Sequence, residues 1–126
     1  MDNVQGLHIT ETGYVDFSVV KALKKSVGTK RYHEIAENVM LSLSDKISKF
    51  SRFVVNNEPD AINRLGQEIS AIAGQIGLKG VVDVTNAAVN ASARADWTAL
   101  SALSARLVRI TEGSLFLIVQ IDEQAP

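Results

Sequence analysis

Apolar residues recur at intervals of three and four along most of this 126-residue chain. That interval is typical of amphipathic α-helices, whereas the alternation that marks β-strands is scarce. The sequence predicts five helical segments, four of which suit an up-and-down bundle. We therefore predict an all-α fold: one up-and-down four-helix bundle domain over residues 15–126, with a short additional N-terminal helix. Residues 1–14 are expected to form a flexible N-terminal arm.

Capping side chains and glycines mark where the helices begin and end. Gly28 and Gly77 are expected to end the first and third helices, and Gly113 with Ser114 to interrupt the fifth. The residues after that interruption, 115–121, are apolar on nearly all sides, which predicts a buried helix end or a self-association surface, with a β-strand as an alternative. Trp97 is expected to fill the core near the start of the fifth helix. The predicted N-caps are Asp16, Thr29, Asn57 (followed by Pro59 in the first turn) and Asp96.

Composition excludes several classes of function. The chain has no cysteine and two histidines, His8 and His33, which excludes zinc-finger, iron–sulfur and thiol chemistry. No metal and no cofactor are predicted. A net charge of -1 gives no general attraction to phosphate backbones, so nucleic acid is not a predicted partner. No apolar run is long enough for a membrane helix and no secretory leader is evident, so a cytoplasmic protein without membrane contact is expected.

The third predicted helix has an unusual outer face. On a helical wheel its isoleucines and Leu65 form one apolar arc, and Gln67 lies roughly 175° from the centre of that arc. The side chains around Gln67 are small and nearly uncharged, whereas exposed helix faces usually carry Glu and Lys. One interpretation is a smooth protein-binding face, and the other is that small residues are tolerated where nothing packs. The residues of this predicted face are Asn63, Arg64, Gln67, Ser70, Ala71, Gly74 and Gln75.

The same segment resembles the central helix of histidine phosphotransfer (HPt) domains. The family motif there reads approximately A-H-x-L-K-G-x-A-x-x-hydrophobic-G, and Ala73, Ile76 and Gly77 match its end. Residues 78–81, the turn at residues 94–97 and the flanking helices also match, so the resemblance covers residues 16–109. It implies an HPt-like bundle in a bacterial two-component phosphorelay, with a response-regulator receiver domain or a sensor histidine kinase as partner.

The residues that carry the family's chemistry differ in this chain. Gln67 stands where the family has its phosphorylated histidine, Ser70 where it has a lysine, and Ala71 where it has a glycine. An amide nitrogen is not a nucleophile because its lone pair is delocalised, and serine supplies no positive charge. We therefore expect no catalytic residue and no enzyme activity: a pseudo-phosphotransferase that binds a partner without carrying phosphate.

Two alternatives remain at this point. The apolar segment 115–121 could make the chain a structural dimerisation module that forms a homodimer. Phosphotransfer through another histidine is the second alternative, although His33 is expected to be a boundary residue at the bundle end. Lys46, Lys49 and Arg52, with Arg64 opposite them, are expected to form either an ordinary solvated helix face or a basic rim beside Gln67.

Overall fold

The protein is all-helical, as the periodicity predicts. The computed structural model describes residues 15–124, and the side chains of residues 15–114. Within this part of the chain there are five helices and no strand. The predicted N-terminal arm at residues 1–14, which includes His8, lies outside the described residues. The helices are α1 (Phe17–Val27), α2 (Thr29–Val55), α3 (Pro59–Gln75), α4 (Lys79–Ala93) and α5 (Trp97–Gln124).

Two of the predicted N-caps are confirmed by their hydrogen bonds. The Asp16 carboxylate accepts from the backbone N–H of Ser18 at 3.1 Å at the start of α1. The Asp96 carboxylate accepts from the backbone N–H of Ala99 at 3.1 Å at the start of α5. Each bond satisfies a backbone donor that has no partner within its own helix. Gly77 ends α3 as predicted, with a φ of 83°.

The other two predicted N-caps are wrong. Thr29 is the first residue of α2, and Gly28, which has a φ of 85°, takes the capping position without a side-chain hydrogen bond. Asn57 has a φ of 53° and lies in the turn, while Glu58 precedes α3. Pro59 is the first residue of α3, and a proline disfavours helical backbone in the residue before it, so the helix begins at Pro59 itself.

The predicted interruption at Gly113 and Ser114 is also wrong. α5 continues through both residues to Gln124, so segment 115–121 is helical and not a strand. One glycine costs a helix about 1 kcal/mol, which a well-buried helix tolerates. Leu107 and Ile110, in the preceding turns, are 0 % exposed. The side chains of segment 115–121 lie outside the described part, so the predicted self-association surface stays a prediction.

The four long helices contact one another in a closed ring. α2 packs against α3 and α5, α4 packs against the same two helices, and α1 packs against α2. Among the described side chains, the buried hydrophobic residues of the core are aliphatic apart from Tyr32 and Phe50, and a few serines and threonines are buried with them. Trp97 is not in this core: it is 41 % exposed at the first position of α5, which corrects the prediction for it. None of the described helices combines the length and apolar character that a membrane span requires.

The chain before α1 is joined to the turn between α3 and α4. Val15 forms an isolated antiparallel bridge with Leu78, and the Asp16 N–H donates to the Gly77 carbonyl at 2.7 Å. Val15 and Leu78 are 5 % and 0 % exposed. This junction lies at the C-terminal end of α3, so it forms one boundary of the helix that carries the predicted binding face.

Candidate functional site

α3 buries one side in the core and leaves the other in solvent. Ile62, Ile69 and Ala73 are 0 % exposed, whereas Gln67 lies on the opposite side and is exposed. Residues seven apart fall on nearly the same side of a helix, so this separation follows directly from the sequence spacing. The prediction that Gln67 points into solvent is confirmed.

The structure brings all seven predicted face residues onto one surface, which we call the α3 outer face: Asn63, Arg64, Gln67, Ser70, Ala71, Gly74 and Gln75. Every one of them is exposed except Ser70, which is half-buried. The Ser70 hydroxyl donates to the Asn86 side-chain oxygen of α4 at 3.2 Å. Ser70 therefore joins the outer face to α4 and is not available as a projecting polar group.

The centre of the α3 outer face has short side chains and little charge. Arg64 is its one charged member, and Ala71 and Gly74 project little beyond the backbone. A Cβ added at Gly74 would lie 3.8 Å from the nearest atom outside its own helix, Cγ2 of Val82, so neighbouring side chains do not fill this space. A partner's backbone or side chain can therefore approach α3 closely here.

Gly66, one residue before Gln67, sets how close α3 lies to α4. It is buried, and a Cβ added there would be 2.5 Å from Cγ2 of Val89 and 3.5 Å from Cγ2 of Thr85. The sequence reasoning missed this role. The available signal was the recurrence of small residues at helical spacing, Gly66 and Ala73 on α3 opposite Ala88 and Ala91 on α4.

A groove runs along the side of α3 that faces α2, next to the outer face. Its lining is both charged and apolar; of the apolar residues, Leu65 is buried and Phe53 is half-buried. We call it the α2–α3 groove, and it is lined by Lys46, Lys49 and Phe53 of α2 and by Ala61, Arg64, Leu65 and Glu68 of α3. Arg64 belongs to both surfaces, so the groove and the outer face are continuous.

Glu68 joins the two helices across this groove. Its carboxylate forms a 2.8 Å ion pair with the Lys46 ammonium group, whose side chain is 23 % exposed. The hydrogen bond and charge of Lys46 lower the pKa of Glu68 below its ordinary value, and the charges of Lys49 and Arg64 act in the same direction. A single carboxylate therefore experiences the field of three cations.

The predicted basic rim is present in part. Lys46, Lys49 and Arg64 line the α2–α3 groove as expected. Arg52 does not: it lines a different surface depression, with Val55 among its neighbours. Arg52 lies a net rotation of about 60° from Lys49, in the direction opposite to Lys46 and Phe53, so its side chain points away from α3.

A second depression lies at the C-terminal end of the α3 outer face, where α1, α3 and α4 meet. Gly74 and Gly77 form its α3 side, and Val19 and Val82 supply apolar side chains from α1 and α4. An exposed ion pair between Lys79 and Asp83, with 3.3 Å between nitrogen and oxygen, lies beside it. The α3 outer face is therefore bordered at its C-terminal end by this depression, which is partly apolar.

The α3 outer face offers hydrogen-bonding groups and one positive charge to solvent. The Gln67 amide offers two hydrogen-bond donors and one acceptor oxygen but no nucleophilic nitrogen. No group of three or more His, Asp or Glu side chains suited to a metal ion occurs in the described part of the chain. The surface can therefore bind through shape, hydrogen bonds and charge.

His33 lies several helical turns away from the level of Gln67. It is half-buried near the start of α2, and its ring meets the Tyr32 ring edge-on with 6.4 Å between centroids. At about 1.5 Å per residue, His33 is about 20 Å along the α2 axis from Lys46, which pairs with Glu68 of α3, next to Gln67. This position agrees with the predicted boundary role and separates His33 from Gln67.

Comparisons of the chain with protein-family models, with curated proteins and with solved structures give no match. The resemblance to phosphotransfer domains therefore rests on the residues and turns of this sequence alone.

Proposed function

We propose that this chain is an HPt-like four-helix bundle, with α1 as an additional helix, that docks a receiver domain or sensor kinase through the α3 outer face without carrying phosphate. The observation that carries the proposal is the exposed Gln67 at the centre of a small, nearly uncharged helix face. Gln67 occupies the position of the phosphoacceptor histidine in the family that the sequence resembles.

The proposed fold is supported by the ring of contacts among α2, α3, α4 and α5. The turns between these helices are short, so consecutive helices run side by side in opposite directions. Such a bundle presents the α3 outer face as a rigid surface, and a rigid surface loses little conformational entropy when a partner binds.

The neighbouring cations support an acidic partner. Arg64 lies on the outer face, and Lys46 and Lys49 lie beside it in the α2–α3 groove. Complementary charge accelerates the encounter of two proteins and fixes their orientation. A bundle of this kind would compete with a true phosphotransfer protein for a receiver, or hold a kinase in one state.

The test is a binding screen against purified receiver domains and sensor kinases of the host, followed by titration calorimetry on the partners retained. Ala71→Glu places a charged side chain at the centre of the outer face and is expected to weaken binding at least tenfold, about 1.4 kcal/mol. Ala102→Glu is the matched control, because Ala102 is also an exposed helical alanine but lies on α5.

The control variant is expected to bind as the wild type does. Equal affinities for the Ala71→Glu variant and the wild type would exclude the α3 outer face as the docking surface. Absence of binding to every receiver and kinase tested would contradict the proposed function as a whole.

A further inference from the structure

The α2–α3 groove combines three cationic side chains with a single carboxylate at its centre. Lys46 and Lys49 project from α2 and Arg64 from α3, and the Glu68 carboxylate lies in the field of all three. The ion pair between Lys46 and Glu68, at 2.8 Å, joins α2 and α3 at this groove. A carboxylate of the chain itself therefore pairs with one of the cations that line the groove.

The lining of the groove itself carries three cations and one anion, Glu68. Lys49 is shared with Asp45 of its own helix, with 3.1 Å between nitrogen and oxygen. Arg64 is exposed and forms no ion pair among the described residues. Its five guanidinium donors are available for a carboxylate that arrives from outside the chain. The groove therefore has capacity for an anion beyond Glu68.

We propose that the α2–α3 groove is a binding site for a carboxylate side chain of the docking partner, and that Glu68 occupies this site as an internal ligand until the partner displaces it. The inference rests on the proposed docking function, because the outer face and the groove share Arg64. It adds a regulatory role for a residue that sequence analysis did not single out.

The exchange is physically favourable for two reasons. The Glu68 side chain is 56 % exposed, and an exposed ion pair contributes little to stability, so Glu68 leaves Lys46 at small cost and is then solvated. A partner that covers the groove excludes water from it, and attraction between opposite charges strengthens as the surrounding dielectric constant falls. The incoming carboxylate is therefore attracted more strongly to the cations than the solvated Glu68 carboxylate is, and the cost of removing water from these charges offsets part of that gain.

The apolar part of the groove lining favours a protein partner over a free small anion. It is supplied by Phe53, Ala61 and Leu65. A carboxylate carried on a protein surface brings apolar neighbours that cover these side chains. A free anion leaves them in contact with water.

The test compares Glu68→Gln with Glu34→Gln. Glu34 is a matched control because it also forms an exposed ion pair, with Arg31 at 3.2 Å, and lies about 18 Å along α2 from Lys46. Both variants remove one negative charge from the chain. Affinity is measured for a receiver domain that the wild-type chain retains, at low and at high salt.

Glu68→Gln is expected to raise the affinity about three- to tenfold at 50 mM salt, to steepen its salt dependence and to lose the gain near 0.5 M, because salt screens charges at a partly exposed site. Glu34→Gln is expected to change the affinity less than twofold. Equal effects of the two variants, or no effect of either, would overturn the inference and leave the docking function standing.

A second measurement does not depend on any receiver. A hexaglutamate peptide is titrated into the isotopically labelled chain, and backbone NMR shifts are followed. Shifts centred on Lys46, Lys49 and Arg64 that grow in the Glu68→Gln variant support the carboxylate site even if every receiver fails to bind. Shifts elsewhere, or shifts that do not depend on residue 68, would contradict it.

Discussion

Gly66 of α3 faces Val89 of α4 at a distance that leaves no room for a side chain. A Cβ at residue 66 would lie 2.5 Å from Cγ2 of Val89, closer than real Cβ contacts allow. The two helices therefore approach each other through this glycine. Gly66 immediately precedes Gln67 in α3, so this contact also sets how far the α3 outer face stands from α4.

Gly66→Ala is expected to destabilise the protein by about 1–3 kcal/mol, because the added methyl group forces α3 and α4 apart or moves Val89. Gly74→Ala is the control in the same helix. Its Cβ would meet Val82 at 3.8 Å, an ordinary contact, so the better helix propensity of alanine is expected to stabilise the protein by about 0.5–1 kcal/mol. Urea unfolding of both variants checks the opposite signs, and a Gly66→Ala variant as stable as the wild type would contradict the contact.

Much of the fold follows from the sequence because apolar spacing determines which side of each helix is buried. Ile62, Ile69 and Gln67 were placed correctly by their rotation about α3 alone. Helical rotation does not give the distance between two helices or their register. The close contact between Gly66 and Val89 is therefore visible only in the structure.

The ion pair in the α2–α3 groove illustrates the same limit. Lys46 and Glu68 are 22 residues apart, and only the register between α2 and α3 brings them together.

The prediction that Trp97 fills the core is wrong for a different reason. Its position on the apolar side of α5 predicts burial, but it is the first residue of the helix, where no further turn covers it. The angular position of a residue about the helix axis predicts its burial in the middle of a helix but not at the end of the helix.

The turn between α3 and α4 gives a second stability prediction. Gly77 has a φ of 83°, and a Cβ there would lie 2.8 Å from the backbone oxygen of Asp16. Gly28 has a nearly equal φ of 85° with no atom within 4 Å of an added Cβ. Gly28 has a ψ of 161°, a backbone region essentially restricted to glycine, so Gly28→Ala reports backbone strain alone, expected at about 1–3 kcal/mol. Gly77→Ala reports strain together with the clash.

Gly77→Ala is expected to cost about 1–3 kcal/mol more than Gly28→Ala, because backbone atoms of the N-terminal junction cannot rotate away as a side chain would. Thermal unfolding of the two variants gives the difference. If the two losses are equal, the contact between Asp16 and the α3–α4 turn does not contribute to stability.

Asp16 also predicts a dependence of stability on pH. The hydroxyl of Ser18 donates to its carboxylate at 2.6 Å, and this hydrogen bond, followed by backbone N–H donors and the charge of Lys79, lowers the pKa of Asp16. A group whose pKa is lower in the folded state stabilises that state above its unfolded pKa, and this contribution disappears as the pH falls through the folded pKa.

We therefore expect the melting temperature to fall as the pH is lowered below the ordinary range of aspartate. Ser18→Ala removes the strongest donor, so its acid transition is expected at higher pH than that of the wild type. Asp16→Asn keeps a capping oxygen without a titrating group and is expected to flatten the profile. A profile that is unchanged in both variants would show that Asp16 does not contribute to acid unfolding.

Substitutions at Gln67 and its neighbours test the proposal that this chain does not accept a phosphoryl group. The wild-type chain is expected to gain no acid-labile phosphate from a phosphorylated receiver or kinase, because an amide nitrogen is not a nucleophile. The triple variant Gln67→His, Ser70→Lys and Ala71→Gly supplies an imidazole nucleophile, a nearby positive charge and the family's glycine, and it is expected to accept phosphate from the same donor.

His33→Ala is the control for that experiment in both backgrounds. The triple variant is expected to keep its label when His33 is replaced, since His33 is about 20 Å along α2 from the Lys46 that pairs with α3. Labelling of the wild type that disappears with His33→Ala would refute a binding-only role. An unlabelled triple variant that still binds its receiver would show that the face retains docking and has diverged from phosphotransfer at more than these three positions.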